Sequence, residues 1–481
     1  MHRERIRIFL TFLAGVTFSA GVLVVAGGVG NSASATRYDD LGLFTSVLRL
    51  VRQNYVEEVD EGSLVRGAVR GMLNELDPHS SFLDTEAYRE MQVDTRGEFH
   101  GLGIEITKRR DGFIEVIAPI DGTPADLAGI RARDSIVSIC PTEVPDDWAD
   151  DEECRTSKNM TLFEAVQLMR GKRGTEITIE IFREGFEEPR PVTIKRELVQ
   201  IKSVTGRFVE PGYAYVRIRS FQERTVEELD DVLTEMHEES GVASFEGLVL
   251  DMRDNPGGLL DQAVKVSNIW LTDGLVVYTK GRVEEQRQEF RAQNEGSEPS
   301  YPIAVLVNQG SASASEIVAG ALQDQHRALV IGEKTFGKGS VQTVYPLEHG
   351  AGLRLTTALY YTPAGRSIQE VGISPDIAVS PVDDSPEAVT MRRMRERDLE
   401  GHFRHQDAEP SGEEEDADEE EDEVSLELPA DGDSATDIQL ARALEVLKSW
   451  TYFERLRGET GQMQARAPET PSATPTPAPA P

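Results

Sequence analysis

Cysteine is almost absent, with two residues in 481. Two thiols cannot build a disulfide scaffold or a four-cysteine zinc site. Positive charge is short as well: 50 Lys and Arg face 85 Asp and Glu, a net of −35. A chain that tracks phosphates needs a basic surface, so the balance argues against nucleic acid as a partner. The eight histidines are scattered, with no H-E-x-x-H and no paired spacing. The usual metal-ligand patterns are therefore missing, and no cofactor is expected. Hydrophobic residues make up 39% and charged residues 28%. That composition excludes chain-wide disorder and a multi-span membrane protein. At roughly 150 residues per domain the length suggests about three units.

The first residues indicate where the protein works. Residues 2–7 are a short basic head, and residues 8–30 are uncharged and mostly apolar. Ala33-Ser34-Ala35 then offers a small-residue cleavage site. The apolar run is long enough to cross a hydrocarbon core of about 30 Å. Residues 1–35 are thus a cleaved signal peptide or a retained anchor, and either sends the rest out of the cytoplasm. In an oxidising compartment Cys140 and Cys154, close in one segment, favour a local disulfide.

Beyond the leader, residues 36–96 read as helical. Leu43, Val47, Leu48, Val51 and Tyr55 recur at three-to-four spacing, and a second helix over 64–76 stops at Asp77-Pro78. Residues 97–200 change to short β-like runs at 103–107, 113–117, 136–139, 177–182 and 191–195, with one helix over 161–170. Residues 141–153 hold seven acids and no bases, the pattern of a solvated insert. From 201 to 382 strands at 247–252, 303–307, 328–331 and 353–361 alternate with helices at 260–270 and 314–323. The alternation predicts an α/β layer with crossover helices. Residues 383–481 contain an acidic stretch (407–433, 15 acids, no Lys or Arg), an amphipathic helix over 438–456, and a Pro/Ala/Thr-rich tail.

The chemistry sits in the α/β segment. Residues 310–317 (Gly-Ser-Ala-Ser-Ala-Ser-Glu-Ile) follow a strand and open a helix, where backbone N–H groups are unpaired. A serine there is placed to attack a carbonyl, although Ser313-x-x-Glu316 equally satisfies a capping box. Lys338 follows the next strand, flanked by glycines that permit close backbone approach. It is a general base if burial lowers its pKa by roughly 3 units, and otherwise a solvated loop lysine. Gln342 is a candidate to hold a neutral amine. Residues 251–258 contain the turn Asn-Pro-Gly-Gly, whose N–H groups suit an oxyanion. His326 near the serine leaves a Ser-His-Asp triad open.

These strings resemble the C-terminal-processing peptidases, or tail-specific proteases: residues 310–317 with Phe336-Gly-Lys-Gly-Ser-Val-Gln342, joined by Leu76-Asp-Pro-His-Ser80, residues 361–369 and residues 372–376. The resemblance runs from about residue 40 to 380. It implies a crotonase- or Clp-protease-like α/β core with an inserted PDZ domain and an N-terminal helical segment. It further implies Ser313 as nucleophile, Lys338 as base and Gln342 as the residue orienting it. Ala314 with Gly257 or Gly258 would supply the oxyanion hole. Gly101-Leu102-Gly103-Ile104 resembles a PDZ carboxylate loop, with Val166 and Arg170 on the opposite wall of the groove. The expected activity is cleavage of exported proteins with accessible C-terminal tails, in the periplasm or anchored to the outer face of the inner membrane. An adaptor lipoprotein and a homo-oligomer are compatible with the resemblance. The alternative is a catalytically silent PDZ adaptor that only holds such tails.

Overall fold

In a computed structural model of the chain, the described residues are 32–381, 394–404 and 437–465, without 110, 143, 146–147, 150–151, 242–243, 284–286 and 294–297. Residues 1–31 of the leader, the acidic stretch 407–433 and the final tail lie outside them. Two units divide between Leu76 and Asp77. The first contains α1 (Ser32–Asn54) and α2 (Glu61–Asn74). Asp60 caps α2 by accepting from the Gly62 and Ser63 N–H groups, and Arg52 pairs with Glu61 at 2.9 Å. Leu43, Phe44, Val47 and Leu50 leave an apolar stripe of α1 exposed.

The second unit opens with β1 (Ser81–Leu83) and α3 (Thr85–Arg96). Gly97 ends α3 at φ 72°, the left-handed cap that glycine adopts without strain. A β-rich module follows: β2 (Glu98–Gly101), β3 (Ile104–Lys108), β4 (Ile114–Pro119), α4 (Pro124–Leu127), β5 (Ser135–Pro141), β6 (Arg155–Thr156), α5 (Leu162–Met169), β7 (Glu176–Phe182), β8 (Arg190–Lys195) and β9 (Glu197–Gln200). The sheet runs β3-β4-β5-β7-β8, antiparallel throughout, with β6 on β5. Alternate residues Ile114, Val116, Ile177, Ile179 and Ile181 point into one core with Ala165 and Met169 of α5, the period of two a half-buried strand requires. The entering and leaving strands, β2 and β9, pair with each other.

Cys140 and Cys154 form a disulfide across the acidic insert. The insert is not solvated throughout: Trp148 is 8% exposed and joins the module core, with the Arg155 guanidinium 4.2 Å from its ring centroid. An indole buried under a cation supplies an anchor that the charge count concealed. Closing a loop of this length restricts the unfolded chain by about 3 kcal/mol. The Cys140→Ser/Cys154→Ser variant is therefore expected to show a lower Tm under oxidising conditions. Calorimetry giving the same Tm for both proteins would contradict this.

The core comprises β10 (Val204–Glu210), β11 (Tyr213–Ile218), α6 (Thr225–Ser240), β12 (Gly247–Asp251), α7 (Leu260–Trp270), β13 (Leu275–Gly281), β14 (Gln288–Arg291), β15 (Ile303–Val307), α8 (Ala314–Asp324), β16 (Leu329–Gly332), β17 (Ser340–Pro346), β18 (Gly352–Tyr361) and β19 (Ile377–Ala378). One sheet runs β10-β11-β12-β15-β16-β19 and is parallel from β11 onward. A second, antiparallel sheet joins β1-β18-β13-β14, with β17 on β18. β12 and β15 are buried on both faces, which explains their apolar sequence, interrupted only by Asp251 at the end of β12. Leu248, Leu250, Val305 and Val307 face α6, α7 and α8, whereas Val249, Ala304 and Leu306 face the other way.

That other face is covered by α9 (Ile438–Ala465), whose Leu440, Ala443, Leu444 and Leu447 form a single stripe. The core therefore does not end at residue 382. Each buried leucine of α9 contributes about 1.5–3 kcal/mol.

Candidate active site

Three loops leave the C-terminal ends of parallel strands, where open α/β sheets place their sites. Residues 252–258 follow β12, 308–313 follow β15, and 333–339 follow β16. Asn255, fully buried, ties the first two together. Its carbonyl accepts from the Ala312 N–H at 3.0 Å and the Ser315 hydroxyl at 2.9 Å, and its amide donates to the Ile218 carbonyl at 2.8 Å. Ser311 adds a hydroxyl bond to the Met252 carbonyl at 2.8 Å.

Ser313 lies at the turn into α8 with φ 54° and ψ −110°, a conformation unusual for a non-glycine residue. Such backbone strain concentrates where geometry serves function. The side chain is 8% exposed. Its N–H donates to Glu316 Oε2 at 2.7 Å, one arm of the capping box noted in the sequence.

Glu316 does more than cap. Fully buried, it accepts from the Thr335 hydroxyl at 2.5 Å, the Gly337 N–H at 2.8 Å and the Lys338 N–H at 3.0 Å. A single carboxylate oxygen, Oε2, thus receives both the Ser313 and the Lys338 N–H. Burial pushes this carboxyl up to about 7, against four hydrogen bonds that favour its charged form. The Phe336 N–H donates to the Ser311 carbonyl at 3.0 Å, closing the serine and lysine loops on one another.

Burial holds the Lys338 amine below the ordinary lysine range, and repulsion from Arg354 adds to it; Glu396, Glu316 and Asp77 act in the opposite direction. No hydrogen bond joins Lys338 Nζ to Ser313 Oγ, nor to Gln342. Gln342 instead donates to the Ser340 hydroxyl at 2.8 Å. The β17–β18 register shifts beside it, between Val341 and Gln342, with Thr357 of β18 as the extra residue. The orienting amide expected from spacing is not found on the lysine here.

Of the two glycines, Gly257 donates its N–H to Asn255 Oδ1 at 2.9 Å. The N–H groups of Gly258 and Ala314 donate to nothing among the described residues. Both glycines need their positive φ, 101° and 141°. A Cβ on Gly257 would lie 2.8 Å from the Ser313 Cβ, and one on Gly258 would lie 2.2 Å from the Phe221 carbonyl oxygen. His326 lies beyond the opposite end of α8, about 16 Å along an eleven-residue helix. It cannot serve Ser313, so no triad forms.

In the module, Leu102 is buried and Gly103 has φ 80°, packed on Thr123. The Leu102 and Gly103 N–H groups donate to nothing among the described residues. Ile104 opens β3, an edge strand of its sheet. Gly101 ends β2, Val166 is half-buried on α5, and Arg170 pairs with Glu90 of α3 at 3.3 Å while lying 4.9 Å over Phe99.

Sequence reasoning named Asn255 only as part of a turn and His79 and Gln369 only within strings of the resemblance, missed Glu396, and credited Glu316 only with a cap. It also missed Arg253, which grips buried Asp251 at 2.6 Å and Asp437, the cap of α9, at 2.7 Å. Asp437 is held below the usual carboxylate range by this contact, although burial alone would raise it. Arg253→Ala leaves Asp251 buried without its cation, at a cost of about 3–5 kcal/mol. A Tm close to wild type in that variant would contradict the pairing's importance.

The chain matches Peptidase family S41 over residues 212–379 and the activating protease CtpB N-terminal domain over residues 27–87. It is 42% identical over 400 residues to a carboxy-terminal-processing protease of Bartonella bacilliformis, covering 83% of this chain and 88% of that one. A carboxyl-terminal-processing protease of Synechocystis sp. is 35% identical over 376 residues, 73% of this chain and 84% of the other. The solved photosystem II D1 C-terminal processing protease is 32% identical, covers 70% of this chain and 92% of its own, and superimposes with a TM-score of 0.40. With a relative this similar along nearly its whole length, the chain belongs to the carboxy-terminal-processing proteases, serine-type enzymes of peptidase family S41.

Proposed function

We propose that the protein is an exported serine endopeptidase that takes protein tails in a PDZ groove formed by residues 98–200 and cleaves them with Ser313 and Lys338. The observation that carries this is the shared carboxylate: Glu316 Oε2 accepts the backbone N–H of both residues. A depressed Lys338 supports its role as base, because only the neutral amine accepts a proton. Lys338 takes the Ser313 hydroxyl proton as Oγ attacks the scissile carbonyl. The Ala314 and Gly258 N–H groups receive the oxyanion, since Gly257 has already given its own to Asn255. The resulting ammonium returns the proton to the leaving amine. Water activated at the same amine then hydrolyses the acyl-enzyme. Approach of the Lys338 amine to Ser313 Oγ completes the dyad, with Gln342 as its partner once its bond to Ser340 is exchanged.

The free edge of β3 and the unpaired Leu102 and Gly103 N–H groups suit an added strand ending in a carboxylate. Val166 and Arg170 face that groove as its other wall. Residues 36 onward work outside the cytoplasm, in the periplasm or at the membrane's outer face. The test is a pair of peptides that differ only at the terminus. The free acid is expected to be cleaved with kcat/KM at least about fivefold above the amide, and neither is cut by Ser313→Ala. Equal kcat/KM for the two peptides would remove tail recognition from the proposal.

A further inference from the structure

Glu396 lies beyond the segment matched by the peptidase family, yet it is fully buried. Its Oε1 accepts from the Gln369 amide at 2.8 Å, and both oxygens stand 2.8 Å from His79 Nε2. Gln369, also fully buried, accepts the Gly339 N–H at 3.0 Å. A Cβ on Gly339 would lie 2.3 Å from the Gln369 nitrogen, so the two backbones are in direct contact. The neighbouring Glu370 N–H donates to the Gly337 carbonyl at 2.9 Å, and Glu370 is itself held by His402 at 2.6 Å. Residues 396–402 thus reach the lysine loop through two adjacent residues, by the Gln369 side chain and the Glu370 backbone. A segment that merely covered an apolar surface would not bury a carboxylate, which costs several kcal/mol before pairing.

We propose that Glu396 is a positioning residue for the reaction: through Gln369 it fixes the backbone on the C-terminal side of Lys338, as Glu316 fixes the other side. This role rests on Ser313 and Lys338 being nucleophile and base. It makes the site a product of the whole chain: residues far beyond β19 decide where the base stands. The charge has a second effect, since Glu396 opposes the depression of the Lys338 pKa, together with Glu316 and Asp77 and against Arg354.

The experiment uses the full chain and β-casein, with Glu396→Ala and Glu396→Gln beside Ser313→Ala and Lys338→Ala. Glu396→Ala is expected to lower kcat at least tenfold while KM changes less than twofold. Glu396→Gln still accepts from Gln369, and is expected to recover most of kcat. Its acid limb of kcat against pH is expected to move to lower pH, because a charge favouring the ammonium has been removed. A kcat within twofold of wild type for Glu396→Ala overturns the role, as does Glu396→Gln with the acid limb unmoved. If Glu396→Ala does not fold, as judged by circular dichroism, the pH profile of Glu396→Gln decides alone. Activity surviving in Ser313→Ala or Lys338→Ala refutes the underlying dyad instead. Those two dead and Glu396→Ala unimpaired refutes only the positioning role.

Discussion

Ser313→Ala and Lys338→Ala are each expected to lower kcat by about a thousandfold or more, with folding intact. In the proposed dyad Ser313 contributes the atom that attacks, and nothing else at the turn replaces it, since Ser311 and Ser315 already donate to the Met252 and Asn255 carbonyls. Lys338 contributes an amine whose surroundings favour the neutral form. Arginine cannot substitute, because its guanidinium does not deprotonate in proteins, so Lys338→Arg is expected to be as inactive as alanine. The sign of the pH dependence follows. Activity rises with pH as the lysine loses its proton, and the midpoint lies below the ordinary lysine value of about 10.4. Digestion of β-casein followed by gel and mass spectrometry measures all of this. Unchanged cleavage in either alanine variant would falsify the dyad.

Glu316→Gln is expected to be nearly as damaging, although it is isosteric and removes only a charge. Each oxygen of Glu316 receives two donors: Thr335 and Gly337 at Oε1, Ser313 and Lys338 at Oε2. A glutamine must turn its NH2 toward one pair and set donor against donor. Two buried N–H or O–H groups then lose their acceptor, at about 1–3 kcal/mol each. If Ser313 and Lys338 are the pair that loses, the proposed nucleophile and base are released together. We expect kcat to fall at least about a hundredfold and the Tm to drop. There is also a linkage effect with a definite sign. With its pKa raised to about 7 in the folded protein from 4.5, Glu316 holds a proton that the unfolded chain has released. Its linkage contribution is fully present below pH 4.5 and lost as pH rises through about 7. Glu316→Gln should lack that component in a plot of Tm against pH. A variant with wild-type kcat and the same pH dependence of Tm would rule out the hub.

What could be read from the sequence was local. β12, β15, α7 and the start of α8 follow from apolar runs and a strand–turn–helix pattern within a few residues. Ser313 and Lys338 were picked out by the resemblance of residues 310–317 and 336–342 to the tail-specific proteases, since the residues alone left a helix cap and a loop lysine open. Glu396 did not, because its partners His79 and Gln369 lie 317 and 27 residues away, and no short window contains such a contact. Gln342 was a candidate by its place four residues after Lys338 and by the resemblance, and neither shows that its amide donates to Ser340 instead. The stripe on α9 was visible, but amphipathicity states that a helix has a buried face without naming what buries it. Trp148 was hidden by seven acids around it, since charge density predicts solvation only when no large apolar side chain interrupts it.

The neck of the β-rich module has a further consequence. Gly97 and Ile201 flank it on either side, and the Ile201 N–H donates to the Gly97 carbonyl at 2.8 Å. The chain therefore departs and returns at almost the same point, having travelled through a hundred residues with their own core. To the rest of the polypeptide, that excursion is topologically equivalent to a tight bend. A gene encoding it can be cut out, exchanged or duplicated without rethreading a single strand of the core sheets. If tail recognition resides in this module as proposed, substrate preference and bond-breaking chemistry are free to evolve on separate schedules within one open reading frame.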